Sequence, residues 1–248
     1  MRNCFIIFVL LFLFVGCSAT EDCVKSSGEI ILKEFSVAEF DKIIVYNGIS
    51  LVITQGENYK VEVKTGSNLI DGITINVNNE MLVLKDNSTC NWVRDYGQTT
   101  VYVTTPNLSE IYSKTEKNIT SNGELKFPSL KLVAMDEYDH YKGTGTGDFI
   151  LDIDNENLVL ETNNISQIII SGKTKNFYIG VYDGNGIVNA QNLLAKEIIF
   201  YHRGTNKLLV NPINALKGEI YSYGNVISFT KPAVVEVIEH YKGKLIYH

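Results

Sequence analysis

Three of the four histidines in this chain stand beside a tyrosine and shortly before a glycine: His140-Tyr-Lys-Gly143, Tyr201-His-Arg-Gly204 and His240-Tyr-Lys-Gly243. Tyr182-Asp-Gly184 and Tyr221-Ser-Tyr-Gly224 repeat the arrangement without histidine. Aromatic rings offer flat faces to sugar rings or protein surfaces, and Lys142, Arg203 and Lys242 stand ready to add hydrogen bonds. The candidate ligand-binding ladder is therefore His140, Tyr141, Tyr182, Tyr201, His202, Tyr221, Tyr223, His240 and Tyr241. The bland alternative is that the same rings cover turns or stack to stabilise strands, since tyrosine suits β structure for packing reasons alone.

Catalytic groups are harder to find. Asp136, Glu137 and Asp139 lie near His140, and Asp152, Asp154 and Glu156 alternate, so the second set shares one strand face. Paired carboxylates of this kind cleave polysaccharides in some β-rich enzymes, which makes Asp136, Asp139, Asp152 and Asp154 the catalytic candidates. The second set lacks the glycine that a calcium loop places after its acidic ligands. No Cys-x-x-Cys or Cys/His cluster supports zinc, and Gly143-Thr-Gly-Thr-Gly147 precedes no helical pattern that would cradle a nucleotide. No cofactor and no metal are expected.

The elements that must position these groups are strands. Lys42-Ile-Ile-Val-Tyr46, Ser50-Leu-Val-Ile-Thr54, Lys60-Val-Glu-Val-Lys64, Ile73-Thr-Ile-Asn-Val77, Met81-Leu-Val-Leu84 and Thr99-Thr-Val-Tyr-Val-Thr104 are short β-rich runs, several strictly alternating. Asn47-Gly48, Gln55-Gly56-Glu57-Asn58, Asp71-Gly72 and Asn78-Asn79 break them with residues that favour turns. No window reads as an amphipathic helix. From about residue 130 the turn-like positions Thr144, Asn164, Gly184, Gly204, Gly224 and Gly243 recur at separations of 20, 20, 20, 20 and 19 residues. Units this short bury no core alone; stacked, they pair strands in parallel around one apolar column. The expected class is all-β, a right-handed β-helix-like solenoid with coils of about 20 residues, with an antiparallel sandwich or barrel as the alternative.

Length and charge agree with a folded, exported chain. The 248 residues carry 28 acidic and 22 basic side chains, a net charge of −6, and 45% hydrophobic residues, outside the disordered range. Scattered Lys and Arg form no basic stripe, so nucleic acid is not an expected partner. Arg2 precedes the apolar run Phe5 to Val15, which is well short of the roughly 20 residues of a spanning helix and reads as a signal peptide over residues 1–16. Val15-Gly16-Cys17 resembles the lipobox of bacterial lipoproteins, which implies lipidation of Cys17 and a membrane anchor. Residues 17–29 then form a linker, and one domain spans 30–248. Cys23 and Cys90 remain in an oxidising compartment, where a disulfide between them competes with two separate thiols.

The stretch from Glu39 to Gly56, with Phe40, Ile43, Val45, Gly48, Val52, Ile53, Gln55 and Gly56 as its signature, resembles the head GIN-domain family of putative auto-transporter adhesins. Val61-Glu-Val63, Leu82-Val-Leu84 and Val101-Tyr-Val103-Thr-Thr-Pro106 continue the likeness, which covers about residues 35–248. The resemblance implies an exported, often lipid-anchored, β-helical protein. In this chain bulky Tyr/His turns replace the family's Ser-Gly-like ones, so their role is not inherited. The expectation is a lipid-anchored envelope protein of a Gram-negative bacterium, held at the outer membrane and facing the periplasm or the exterior. It would bind a glycan or a surface protein without catalysis. A polysaccharide lyase or hydrolase, and a structural component that self-associates into homo-oligomers, are the alternatives.

Overall fold

A computed structural model describes residues 26–87 and 99–248. Cys17, Cys23 and Cys90, with the expected signal segment and lipobox, lie outside the described residues. The protein is all-β; among the described residues the helical content is one 3-10 turn, Ile70–Gly72.

The first half is made of short strands: β1 (Ile30–Phe35), β2 (Lys42–Tyr46), β3 (Ile49–Gln55), β4 (Lys60–Gly66), β5 (Ile73–Asn78), β6 (Met81–Asp86), β7 (Thr99–Thr105), β8 (Glu110–Lys114), β9 (Ile119–Leu125) and β10 (Ser129–Ala134). A small hairpin, β11 (Glu137–Tyr138) with β12 (Tyr141–Lys142), follows. Four long strands come next: β13 (Phe149–Thr162), β14 (Gln167–Val181), β15 (Ile187–His202) and β16 (Leu208–Ile220). Then come β17 (Val226–Ser228), β18 (Val234–Glu239) and β19 (Leu245–Tyr247). The six runs read from the sequence each fall inside one of β2 to β7.

Pairing in the second half is parallel and repetitive. Phe149 lies opposite Ile168, Ile168 opposite Val188, Val188 opposite Leu208, Leu208 opposite Val226, and Val226 opposite Leu245. These partners are 18 to 20 residues apart, and bulges shift the register to 21 between Val181 and His202. Each long strand contributes to two ladders. The first ladder runs β6, β2, β8, β10, then the C-terminal parts of β13 to β16, then β18. The second runs β7, β3, β9, then the N-terminal parts of β13 to β16, then β17 and β19. Antiparallel pairs join at the N-terminal end: β1 on β4, β4 on β7, and β5 on β6.

Strand alternation sends one set of side chains inward from both ladders. Ile111, Leu132, Leu160, Ile179 and Phe200 from the first ladder meet Leu51, Ile119, Phe149, Ile168, Val188 and Leu208 from the second in one continuous buried cluster. Each such side chain contributes about 1.5–3 kcal/mol by burial, which offsets the ordering of units that hold no core alone.

The turn positions read from the sequence stack at one corner. Gly186 N donates to Asn164 O at 3.0 Å, Thr205 N to Gly184 O at 3.0 Å and Gly224 N to Gly204 O at 3.2 Å. Gly184 has φ +89° and approaches Asn164 O so closely that an added Cβ would sit 2.3 Å from that oxygen. The next rung thus leaves no room for a side chain there.

Candidate binding face

The outward positions of the first ladder carry the tyrosines. One registered row crosses eight strands: Ile44, Tyr112, Val133, Glu161, Gly180, Tyr201, Glu219 and Ile238. Two residues further along, Tyr182, Tyr221 and His240 leave the same ladder. Tyr182 folds back over Gly180, where a Cβ would lie 2.7 Å from its ring. From there its hydroxyl donates to Glu161 Oε1 at 2.8 Å. Ring centroids then follow at 5.7 Å from Tyr182 to Tyr201, 4.9 Å from Tyr201 to Tyr221 and 4.2 Å from Tyr221 to His240.

The row is a stack. Tyr221 and His240 are inclined by only 11°, so these two rings cover one another's faces. His240 Nε2 sits 2.7 Å from Glu219 Oε2, which also accepts from the Tyr221 hydroxyl. Those two contacts hold the Glu219 carboxyl below its ordinary value. Ring faces are more open beside the stack, where Tyr223 and Tyr241 meet edge to face at 5.0 Å and 86°, about half exposed, with Lys242 Nζ 5.4 Å from the Tyr223 ring.

A second aromatic group lies towards the N-terminal end of the same face. The β11–β12 hairpin folds over β2, β8 and β10, and Tyr138 and Tyr141 pack on Tyr112 at 5.9 and 5.5 Å. With Ile44, Met81 and Val133 they make a small cluster outside the main core. Lys131 joins the two groups, pairing with Glu161 at 2.6 Å and bonding the Tyr138 hydroxyl. Burial would raise the Glu161 carboxyl, yet the hydrogen bonds from Lys131 and Tyr182 outweigh it and hold the group below its ordinary value. Glu110 is held low in the same way against burial, by Tyr112 and Lys42, while burial and Glu110 push the Tyr112 hydroxyl up.

The model of the family described as "Putative auto-transporter adhesin, head GIN domain" matches residues 39–232. The chain belongs to this family. Solved structures share the fold: a putative adhesin from Bacteroides fragilis NCTC 9343 (TM-score 0.79, 17% identity, 90% of this chain and 100% of that one) and a putative adhesin from Parabacteroides merdae ATCC 43184 (TM-score 0.66, 18% identity, 90% and 98%). A putative lipid binding protein from Parabacteroides distasonis ATCC 8503 is also similar (TM-score 0.64, 14% identity, 90% and 99%). No curated protein matches the sequence.

Not every residue of the expected ladder joins the face of this GIN-domain chain. His202 is 1% exposed, because it follows the outward Tyr201 and alternation turns it inward. Its Nε2 meets Asn206 O at 3.0 Å, its Nδ1 has no partner, and burial holds its pKa below the ordinary value against that backbone bond. His140 is exposed at the tip of the hairpin, apart from the stack, and Tyr141 belongs to the Tyr112 cluster.

The carboxylate candidates do not converge. Asp136 precedes the hairpin and Asp139 lies in its turn, whereas Asp152 and Asp154 lie on the outer side of the second ladder. There Ser171 Oγ bonds Asp152 at 3.3 Å and Lys173 pairs with Asp154 at 3.2 Å. Among the described residues no group of three His, Cys, Asp or Glu side chains is placed to hold a metal ion, and no helix is long and apolar enough to cross a membrane. Sequence reasoning missed Lys42, Glu110, Tyr112, Lys131, Tyr138 and Glu161. The available signal was outward alternation in Glu110-Ile-Tyr112-Ser-Lys114, but Lys42 and Glu110 are partners across 68 positions, which no fixed repeat reveals.

Proposed function

We propose that this GIN-domain protein is the binding head of an adhesin, exported and held to the envelope by lipid on Cys17, and that the aromatic face of the first ladder contacts a glycan or a surface protein without catalysis. In this reading residues 30–248 form one domain whose strands wind as a right-handed parallel coil. The repeated parallel pairing supports that winding, since right-handed crossovers are the rule for parallel strands. The observation that carries the function is the continuity of the stripe: His240, Tyr221, Tyr201, Tyr182, Glu161, Lys131, Tyr138, Tyr112, Glu110 and Lys42 touch in sequence across the sheet. At about 4.8 Å per strand, such a stripe is long enough for an extended polymer. The exposed Ile199, Tyr223, Ile238 and Tyr241 widen it at the C-terminal end.

The test is retention of residues 24–248 on a panel of polysaccharides and glycoproteins, with new sugar ends assayed in the same wells. Retention without product, lost in Tyr201→Ser and Tyr241→Ser while the fold persists, supports the binding head. Product release overturns it in favour of a carboxylate-based enzyme.

A further inference from the structure

We propose that the depression between the β11–β12 hairpin and the first ladder is a binding site for one neutral sugar unit of the hexose type. The proposal deepens the binding reading above and rests on it in treating this face as ligand-facing. The depression holds about 420 Å³ and is lined by Lys42, Glu110, Tyr112, Lys131, Tyr138 and Asp139, a volume inside the usual range of small-ligand sites.

The site is built at some cost. Lys114 is fully buried and spends its ammonium on the main-chain carbonyls of Met135 and Asp136, the latter at 3.1 Å, fixing the base of the hairpin. Asp139 and His140 turn the hairpin with φ 47° and 73°, a left-handed conformation that residues other than glycine seldom adopt. None of these residues belongs to the main core, and β8 and β10 beneath the hairpin already have strand partners on both sides. What the hairpin adds is a wall bearing Tyr138 and Asp139.

The lining selects the ligand. Lys42 Nζ lies 3.1 Å from Glu110 Oε1, so neighbouring hydroxyls of a sugar can accept from the ammonium and donate to the carboxylate. Tyr138 adds its ring and hydroxyl to the wall, and Tyr112, 3% exposed, lies beneath it as the floor. In the lining Lys42 and Lys131 are balanced by Glu110 and Asp139, so neither an anionic nor a cationic sugar finds a net opposite charge. A lipid chain finds too little apolar wall.

The test is an amide NMR titration of residues 24–248 with D-glucose, D-galactose, D-mannose and N-acetyl-D-glucosamine, with D-galacturonic acid and D-glucosamine as charged counterparts. Expected is saturable, millimolar binding of at least one neutral sugar, with shifts at Asp139 and His140. The charged counterparts should bind at least about tenfold more weakly. Lys42→Met and Asp139→Asn, both at accessible positions, should each weaken binding about tenfold, as loss of a charged hydrogen bond predicts. Absence of saturation up to about 100 mM, binding unchanged in both variants, or shifts confined to Tyr223 and Tyr241 would overturn the site. Retention on polysaccharide without monosaccharide binding removes this site and leaves the adhesive face. Monosaccharide binding without retention removes the extended face and leaves this site.

Discussion

The outer sides of the two ladders share one backbone plan and differ in how their side chains are linked across strands. On the second ladder, neighbouring rungs are linked by small polar groups: Asn122 Nδ2 donates to Thr54 Oγ1, Asp152 N to Ser121 Oγ, and Asn211 Nδ2 to Gln191 O. On the first, rings and ionised groups are linked across rungs, and Glu110, Glu161 and Glu219 are all held below the ordinary carboxyl value. Since inward positions alone build the shared core, the outer positions are free to diverge. The difference is what the proposed binding role of the first ladder rests on.

The largest effect expected from this contrast is on stability. Tyr112→Ala removes a ring that is 3% exposed and packed under the hairpin, and should cost about 3–5 kcal/mol. Tyr102→Ala, on the outer side of the second ladder between Val52 and Glu62, should cost about 1 kcal/mol or less. Urea midpoints at equal slope check the pair, and equal losses would erase the distinction. Next comes Lys114→Met, which strips the donor from two hairpin carbonyls and should lower protection of the 137–142 amides by about 1–3 kcal/mol. Hydrogen exchange reads this directly, and unchanged protection would show that the ring contacts hold the hairpin unaided.

Acid should separate the sides further. Glu161 is depressed from its ordinary 4.5, so its contribution is present above that pH and is lost as pH falls through its lower folded value. Glu161→Gln should therefore cost about 1–2 kcal/mol at neutral pH and flatten the acid limb of the stability curve. His202 acts at higher pH: it stays neutral when folded while the unfolded chain takes up a proton, so stability falls as pH drops below about 6.5. His202→Asn should remove that limb and leave the lower one. Smallest of all, Lys173→Ala on the second ladder breaks the exposed pair with Asp154 and should change stability by less than about 0.5 kcal/mol. A larger loss would mean that the polar side is also cooperative.

Strand class, most boundaries in the first half and the stacked corner were legible in the sequence, because alternation and turn chemistry are local. β2 coincides with Lys42 to Tyr46, and Gly184 marks a corner by the conformation it must adopt. The face was legible in part. Repeat spacing brought Tyr182, Tyr201, Tyr221 and His240 together, but period two, applied to the neighbouring His202, would have turned it inward. The ring angles were not readable at all: Tyr221 and His240 cover one another's faces, while Tyr182 and Tyr201 are tilted. The hairpin site escaped because its walls come from β2, β8, β10 and an excursion between β10 and β13, whose separations follow loop lengths and not a repeat.

The tight fit of Gly184 against Asn164 and of Tyr182 over Gly180 bears on how such a chain can evolve. Duplicating a whole segment of about 19 residues would lengthen the aromatic stripe by one strand spacing and leave every existing neighbour in place. Inserting a single residue within a strand would exchange its inward and outward side chains unless a bulge absorbs it, as between Ile169 and Ser171. The reach of the face should therefore change in steps of one strand, while single-residue changes gather at bulges and turns.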